Sequence, residues 1–114
     1  LAHNNLGNEL SAQGKLIEAI HHYRQALDMR PDYADAHSNL GLCLAAQGRL
    51  DEAISHYREA IRLDPDNAPA HFNLGMALSA QGQVDEAKSH FRRTVQLMPG
   101  YAPAQHQLDT AGPR

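Results

Sequence analysis

The sequence predicts an all-α fold: an α-α superhelix (solenoid) of three helix-turn-helix repeats plus a C-terminal helix. Three observations carry that expectation. The stretch 34–67 reappears in phase on either side of itself at a fixed period of 34 residues, the mark of a repeat array. Within each copy, apolar residues recur at helical spacing in two separate runs. In the middle copy these are His37, Leu40, Gly41 and Leu44, then Leu50, Ala53, Ile54, Tyr57, Ala60 and Ile61. Gly48 interrupts the pattern between the runs, and Pro65 ends the second one.

The elements follow in chain order. Repeat 1 is placed at 1–33, repeat 2 at 34–67 and repeat 3 at 68–101, all within one domain, 1–114. In the first copy Leu6, Gly7 and Leu10 form the buried stripe of the first helix. Leu16, Ala19, Ile20, Tyr23, Ala26 and Leu27 form that of the second. The third copy repeats this with Leu74, Gly75 and Leu78, then Val84, Ala87, Phe91, Thr94 and Val95. Small residues at the Gly and Ala positions allow close helix approach. Pro31, Pro65 and Pro99 stop each second helix, because proline lacks the amide proton and clashes with the preceding turn. Pro69 and Pro103 fall where a first helical turn tolerates proline. A further helix is expected over 102–111, with Gln105, Gln107 and Asp109 where earlier copies carry His, Asn and Gly. It reads as a polar cap on the last repeat, with a truncated fourth repeat as the alternative.

The NLG step, the AQG turn, the E-A-I or E-A-K step, the aromatic four residues later and the closing Pro resemble the tetratricopeptide repeat (TPR) family. The resemblance covers essentially the whole chain. Two positions depart from the pattern: histidine (His3, His37, His71) stands where a bulky aromatic is frequent, and Thr94 replaces the small Ala26 and Ala60.

Composition narrows the function. A chain of 114 residues has no room for a separate catalytic domain, and its net charge of −3 lacks the basic footprint of a nucleic-acid binder. No apolar run reaches membrane-spanning length and no signal peptide is visible, so neither nucleic acid nor membrane is expected as a partner. The cytoplasm is the expected compartment. The single cysteine, Cys43, excludes an internal disulfide and reads as a buried structural thiol. The chain begins inside a repeat and is expected to be a piece of a longer array, with weak self-association through its open repeat ends.

A second stripe on each first helix carries the candidate site: Leu1, Asn5, Asn8, Ala12; Asp35, Asn39, Leu42, Ala46; Pro69, Asn73, Met76, Ala80. It is flanked by Asn4, Ser11, Ser38, Ala45, Phe72 and Ser79. In the family this side of the first helices lines a concave groove. Asn5, Asn39 and Asn73 are similar to the asparagine ladder of protein O-GlcNAc transferase arrays, which holds extended polypeptide by its backbone. A carboxamide offers donors and an acceptor together, so it matches a peptide unit without reading the side chain. Stacked helices about 10 Å apart correspond to three residues of extended chain at ~3.3 Å each. The resemblance therefore implies a peptide-binding set of Asn5, Asn39, Asn73, Asn4, Asn8, Ser38, Leu42, Phe72 and Met76. The alternative is that these asparagines tie neighbouring helices together.

Other chemistries have less support. Chaperone-adaptor members of the family clamp an acidic C-terminus with cations. Here Asn8 and Asn39 fill the asparagine positions of that clamp, while Asn4, Pro69 and Asn73 stand where its cations would, so the charge-assisted bonds are lost. His3, His37 and His71 recur once per repeat, as do His22, His56 and His90. Repeat spacing holds successive members too far apart for one metal. The second set follows Glu18, Glu52 and Glu86 by four residues and reads as a helix-surface pair. No nucleophile motif or phosphate loop is present, and Arg58, Glu59, Arg62, Arg92 and Arg93 read as a solvated outer face. The expectation is a non-enzymatic interaction module that binds protein or peptide in extended conformation, without metal or cofactor. Two alternatives are a substrate-recruiting segment of a larger enzyme such as a glycosyltransferase, and a self-assembling scaffold.

Overall fold

The computed structural model describes residues 2–110, except for the side chains of Ala2 and Asn4. Seven α-helices follow one another: α1 (Ala2–Ala12), α2 (Leu16–Met29), α3 (Ala34–Ala46), α4 (Leu50–Leu63), α5 (Ala68–Ala80), α6 (Val84–Leu97) and α7 (Ala102–Thr110). No strand occurs among the described residues. Leu1 and the final residue of the expected last helix, Ala111, lie outside them.

The helix ends have identifiable causes. Gly48 takes φ +79°, a left-handed conformation open to glycine, and lets the Arg49 amide reach back to the Leu44 carbonyl at 2.9 Å. The Leu44 carbonyl thereby accepts from both the Gln47 and Arg49 amides at the end of the helix. The Asn67 side chain accepts the Ala70 amide at 3.1 Å and so caps α5, with Pro69 in its first turn.

Each repeat closes on a glycine that faces an aromatic ring. A Cβ built on Gly7, Gly41 or Gly75 would fall 2.6–2.7 Å from Cε1 of Tyr23, Tyr57 or Phe91. Ala19, Ala53 and Ala87 are buried beside these rings. Large side chains at any of these positions would force the helix pair apart.

Adjacent helices pack in sequence along the whole chain, and α3 also touches α1 and α5 directly. No contact of similar extent joins α2 to α4 or α4 to α6. The array therefore curves toward its first helices and extends 43 × 25 × 22 Å.

Two members of the expected buried stripes are more open than their spacing suggests. Leu6 is 40% exposed, whereas its counterparts Leu40 and Leu74 are buried. α3 and α5 are covered by helices from the repeat before them, while α1 packs only on α2 and α3. Val84 opens α6 beside the Gly82 turn and is 41% exposed. Thr94 is fully buried, and its Oγ1 donates to the His90 carbonyl one turn back at 2.9 Å. The extra hydroxyl in an alanine position is thus satisfied within its own helix. Among the described residues, no helix is long and apolar enough to cross a membrane.

Candidate functional site

The side chains singled out on the first helices are not equivalent in the folded chain. Asn5 is exposed, Asn39 and Asn73 are half-buried, and Leu42 and Met76 stand out on the same side at 49% and 41% exposure. Ser38 is only 3% exposed, because its place on α3 turns it into the packing between repeats, away from solvent. The Asn4 side chain lies outside the described residues.

Asn8 is exposed, and its side-chain oxygen is engaged within the scaffold. Its Oδ1 accepts from Tyr23 Oη at 2.6 Å and from Asn39 Nδ2 at 3.0 Å. One carbonyl oxygen thereby joins both helices of the first repeat to the first helix of the second. This is the helix-tying role that the sequence offered as the alternative, realised at Asn8 and shared by Asn39.

Two cavities border the third repeat on the groove face. A cavity of about 290 Å³ lies between repeats two and three, lined by Leu42, Ala45, Leu50, Tyr57, Phe72, Asn73, Met76 and Ala77. A second, of about 170 Å³, is bounded by Pro69, Phe72, Asn73, Thr94, Met98 and Tyr101 among others. Phe72 and Asn73 border both. The Phe72 ring is set by edge contact with Tyr101 (centroids 5.3 Å apart) and by Phe91 at 5.8 Å. Neither lining contains a lysine, arginine or carboxylate, so both cavities favour apolar groups with a few placed hydrogen bonds.

Burial holds the polar groups near this face in their neutral forms. Desolvation, with a smaller contribution from Cys43, pushes Tyr23 up to about 12 and raises Tyr57 as well. The Cys43 thiol is likewise raised by burial, partly offset by its 3.7 Å contact with Ser11 Oγ. It is a packed thiol and not an activated nucleophile.

The histidines arrange themselves differently from the reading of surface Glu–His pairs. The two sets meet inside each repeat: Nδ1 to Nδ1 separations are 3.1 Å for His3–His22, 3.1 Å for His37–His56 and 3.0 Å for His71–His90. The rings stack or tilt at centroid distances of 5.3–5.4 Å. Nε2 of His37 and His71 contacts the carbonyls of Pro31 and Pro65 at 3.0 and 2.8 Å. Of the expected glutamate partners, Glu86 lies 3.5 Å from His90 Nε2. The clue available in sequence was the separation of 19 residues, present in all three copies. Among the described residues, no group of three His, Cys, Asp or Glu side chains is arranged to hold a metal ion.

Asn67 is a contact that sequence spacing did not reveal. While its Oδ1 caps α5, its Nδ2 donates to Asp35 Oδ1 on α3 at 3.2 Å, linking two repeats through a buried side chain.

A curved stack of helix pairs, with its first helices turned inward and apolar cavities between them, defines the class of α-helical solenoids. Within that class the chain belongs to the tetratricopeptide repeat family, whose profiles match residues 4–68 and 44–110. Among solved structures, the first TPR of Spaghetti (RPAP3), bound to the HSP90 peptide SRMEEVD, is similar at 25% identity. Its TM-score is 0.93, with 96% of this chain and 87% of that one covered. A Thermobaculum terrenum O-GlcNAc transferase mutant is similar at 30% identity and TM-score 0.92 over 96% of this chain; the match spans 21% of the transferase chain. MamA shares the fold at 24% identity and TM-score 0.89, with 96% of this chain and 64% of that one covered. No curated protein matches the sequence.

Proposed function

We propose that the chain is a protein-interaction module that holds an extended peptide segment of a partner along α1, α3 and α5. The observation that carries this reading is the pair of uncharged cavities flanking Phe72 and Asn73, on the face that also presents Asn5, Asn39, Leu42 and Met76. The carboxamides on this face supply backbone-matching donors and acceptors, and the cavities supply apolar seats for side chains. The peptide held by the Spaghetti (RPAP3) domain carries several acids. Here Pro69 and Asn73 stand where a carboxylate clamp requires cations, so an uncharged segment suits this groove better. The test is titration with a peptide library of wild type beside Asn5→Ala/Asn39→Ala/Asn73→Ala. At a net 0.5–1.5 kcal/mol per hydrogen bond, the triple change weakens binding by well over about tenfold. Equal binding by both proteins would move the site off this face.

A second reading is favoured by the likeness to the O-GlcNAc transferase: the chain is the substrate-recruiting segment of a larger enzyme, using the same groove. The two diverge on one experiment, whether a protein bound by the groove becomes glycosylated by the protein to which the chain belongs. The exposed Leu6, Ile17 and Met29 support a third reading, weak self-association. Light scattering that stays monomeric at high concentration would rule it out.

A further inference from the structure

In the first repeat, Asn8 Oδ1 receives Tyr23 Oη and Asn39 Nδ2 together, at 2.6 and 3.0 Å. One period later the same three positions hold Leu42, Tyr57 and Asn73. Leucine has no oxygen to offer, so the acceptor at the centre of this arrangement is missing. Tyr57 Oη is fully buried and has no hydrogen-bond partner. Its ring lies across Gly41 as Tyr23 lies across Gly7, with the same 2.6 Å approach to the built Cβ. The hydroxyl is therefore carried toward Leu42, and Tyr57, Leu42 and Asn73 all border the 290 Å³ cavity. A buried hydroxyl without a partner is costly, because it has given up water and received nothing in return. Packing alone does not require it, since Phe91 fills the equivalent place in the third repeat.

We infer that this cavity is the specificity pocket of the groove and takes an uncharged, extended peptide. An aliphatic side chain fills the cavity, and the adjoining backbone carbonyl accepts from Tyr57 Oη and Asn73 Nδ2 in the position that Asn8 Oδ1 occupies one repeat earlier. The inference rests on the peptide-binding reading above and adds to it a site and a ligand chemistry.

The lining selects this occupant over others. Besides Tyr57 and Asn73 it is Leu42, Ala45, Leu50, Phe72, Met76 and Ala77. A carboxylate there would be desolvated with no cation to meet it. A backbone carbonyl beside a Leu- or Met-like side chain brings the acceptor and the apolar body together. Burial raises the Tyr57 hydroxyl above its ordinary range, so it remains protonated and able to donate.

The experiment uses short uncharged peptides, blocked at both ends, with leucine fixed at the centre. They are titrated against wild type, Tyr57→Phe and Leu42→Asn, with the methyl resonances of Leu42 and Met76 followed by NMR. In Tyr57→Phe affinity falls about three- to tenfold, the worth of one hydrogen bond, while the thermal midpoint holds or rises because an unpaired hydroxyl has gone. In Leu42→Asn the oxygen is supplied internally, so binding weakens and the midpoint rises. Binding by Tyr57→Phe equal to wild type overturns the inference, as do Leu42 and Met76 methyls that stay unshifted. If those results come with weakened binding by the triple asparagine variant, the groove reading survives and only the pocket falls. No binding by wild type overturns both. Should Leu42→Asn fail to fold, Tyr57→Phe decides alone, and Phe91 shows that the position accepts its ring.

Discussion

Nδ1 of His71 lies 3.0 Å from Nδ1 of His90, while Nε2 of His71 is 2.8 Å from the Pro65 carbonyl. A carbonyl only accepts, so His71 carries its proton on Nε2 and presents a lone pair at Nδ1, to which His90 Nδ1–H donates. The same logic applies to His37, Pro31 and His56.

Burial of His56 and His90 makes stability depend on pH. His90 is lowered from its ordinary value by burial and then by His71 and Arg58, with Glu86 opposing. His56 is lowered by burial and then by His37 and Arg24, with Glu52 and Glu59 opposing. A lowered histidine binds fewer protons folded than unfolded, so its contribution is complete above the unfolded value of 6.5 and is lost as pH falls through the lowered folded value. Acidification from neutrality should reduce the denaturation midpoint in that window. His56→Gln/His90→Gln should flatten the profile there. The carboxylates of Glu52, Glu59 and Glu86, lowered first of all by Arg49, Arg62 and Arg58 respectively, act below 4.5 and so in a separate window. A midpoint constant from pH 7 to the edge of the carboxylate window would remove the burial of neutral His56 and His90 as a stability element.

Close helix approach in the middle repeat is testable at Gly41. An added Cβ would lie 2.6 Å from Tyr57 Cε1 and 3.1 Å from the Ala53 carbonyl oxygen, and the backbone atom cannot swing aside. Gly41→Ala gains up to ~1 kcal/mol of helix propensity. It loses about 1–3 kcal/mol to overpacking, so the net change should be destabilising. Ala53→Leu should destabilise by a similar or larger amount. Urea denaturation checks both, and a midpoint unchanged in Ala53→Leu would contradict the packing described.

Asn67 and Asn73 should separate scaffold from site. Asn67→Ala removes the α5 cap and the link to Asp35, at about 0.5–2 kcal/mol for the cap alone. Asn73→Ala should leave stability nearly unchanged. Thermal melts of the two variants side by side give the comparison, and equal destabilisation would make Asn73 a packing residue.

The helices were legible in the sequence because their signals are periodic. Gly48 and Pro65 mark the turn and the stop, and spacing separates Tyr57 and Ala53 from the exposed face. Periodicity assigns a residue to a side of its own helix but does not say which neighbouring ring or carboxamide that side meets. His71 and His90 were therefore read singly, although their separation recurs in every copy. Asn8 is exposed on the groove stripe, and only the position of Tyr23 Oη shows that its oxygen is engaged within the scaffold. Ser38 lies at the border of the groove stripe, where a few degrees of helix rotation decide between solvent and packing. The consequence of Leu42 replacing an asparagine emerged only when Tyr57 was found buried without a partner.

The last prediction concerns salt. A carboxylate clamp works through charge, and its attraction weakens as the Debye length shrinks from roughly 30 Å at 0.01 M to 3 Å at 1 M ionic strength. The cavities around Phe72 and Asn73 contain no cation or carboxylate, and the bonds proposed there are neutral. Affinity for an uncharged peptide should change little across that range, or rise slightly as salt strengthens apolar burial. The acidic peptide SRMEEVD serves as the contrast, because the chain offers it no cation at Pro69 or Asn73 and carries a net charge of −3. It should bind more weakly than the uncharged peptide, most of all at low salt, where repulsion is least screened. Isothermal titration of both peptides at the two ionic strengths measures the difference. Tighter binding of the acidic peptide at low salt, lost at high salt, would show that charge recognition governs the groove.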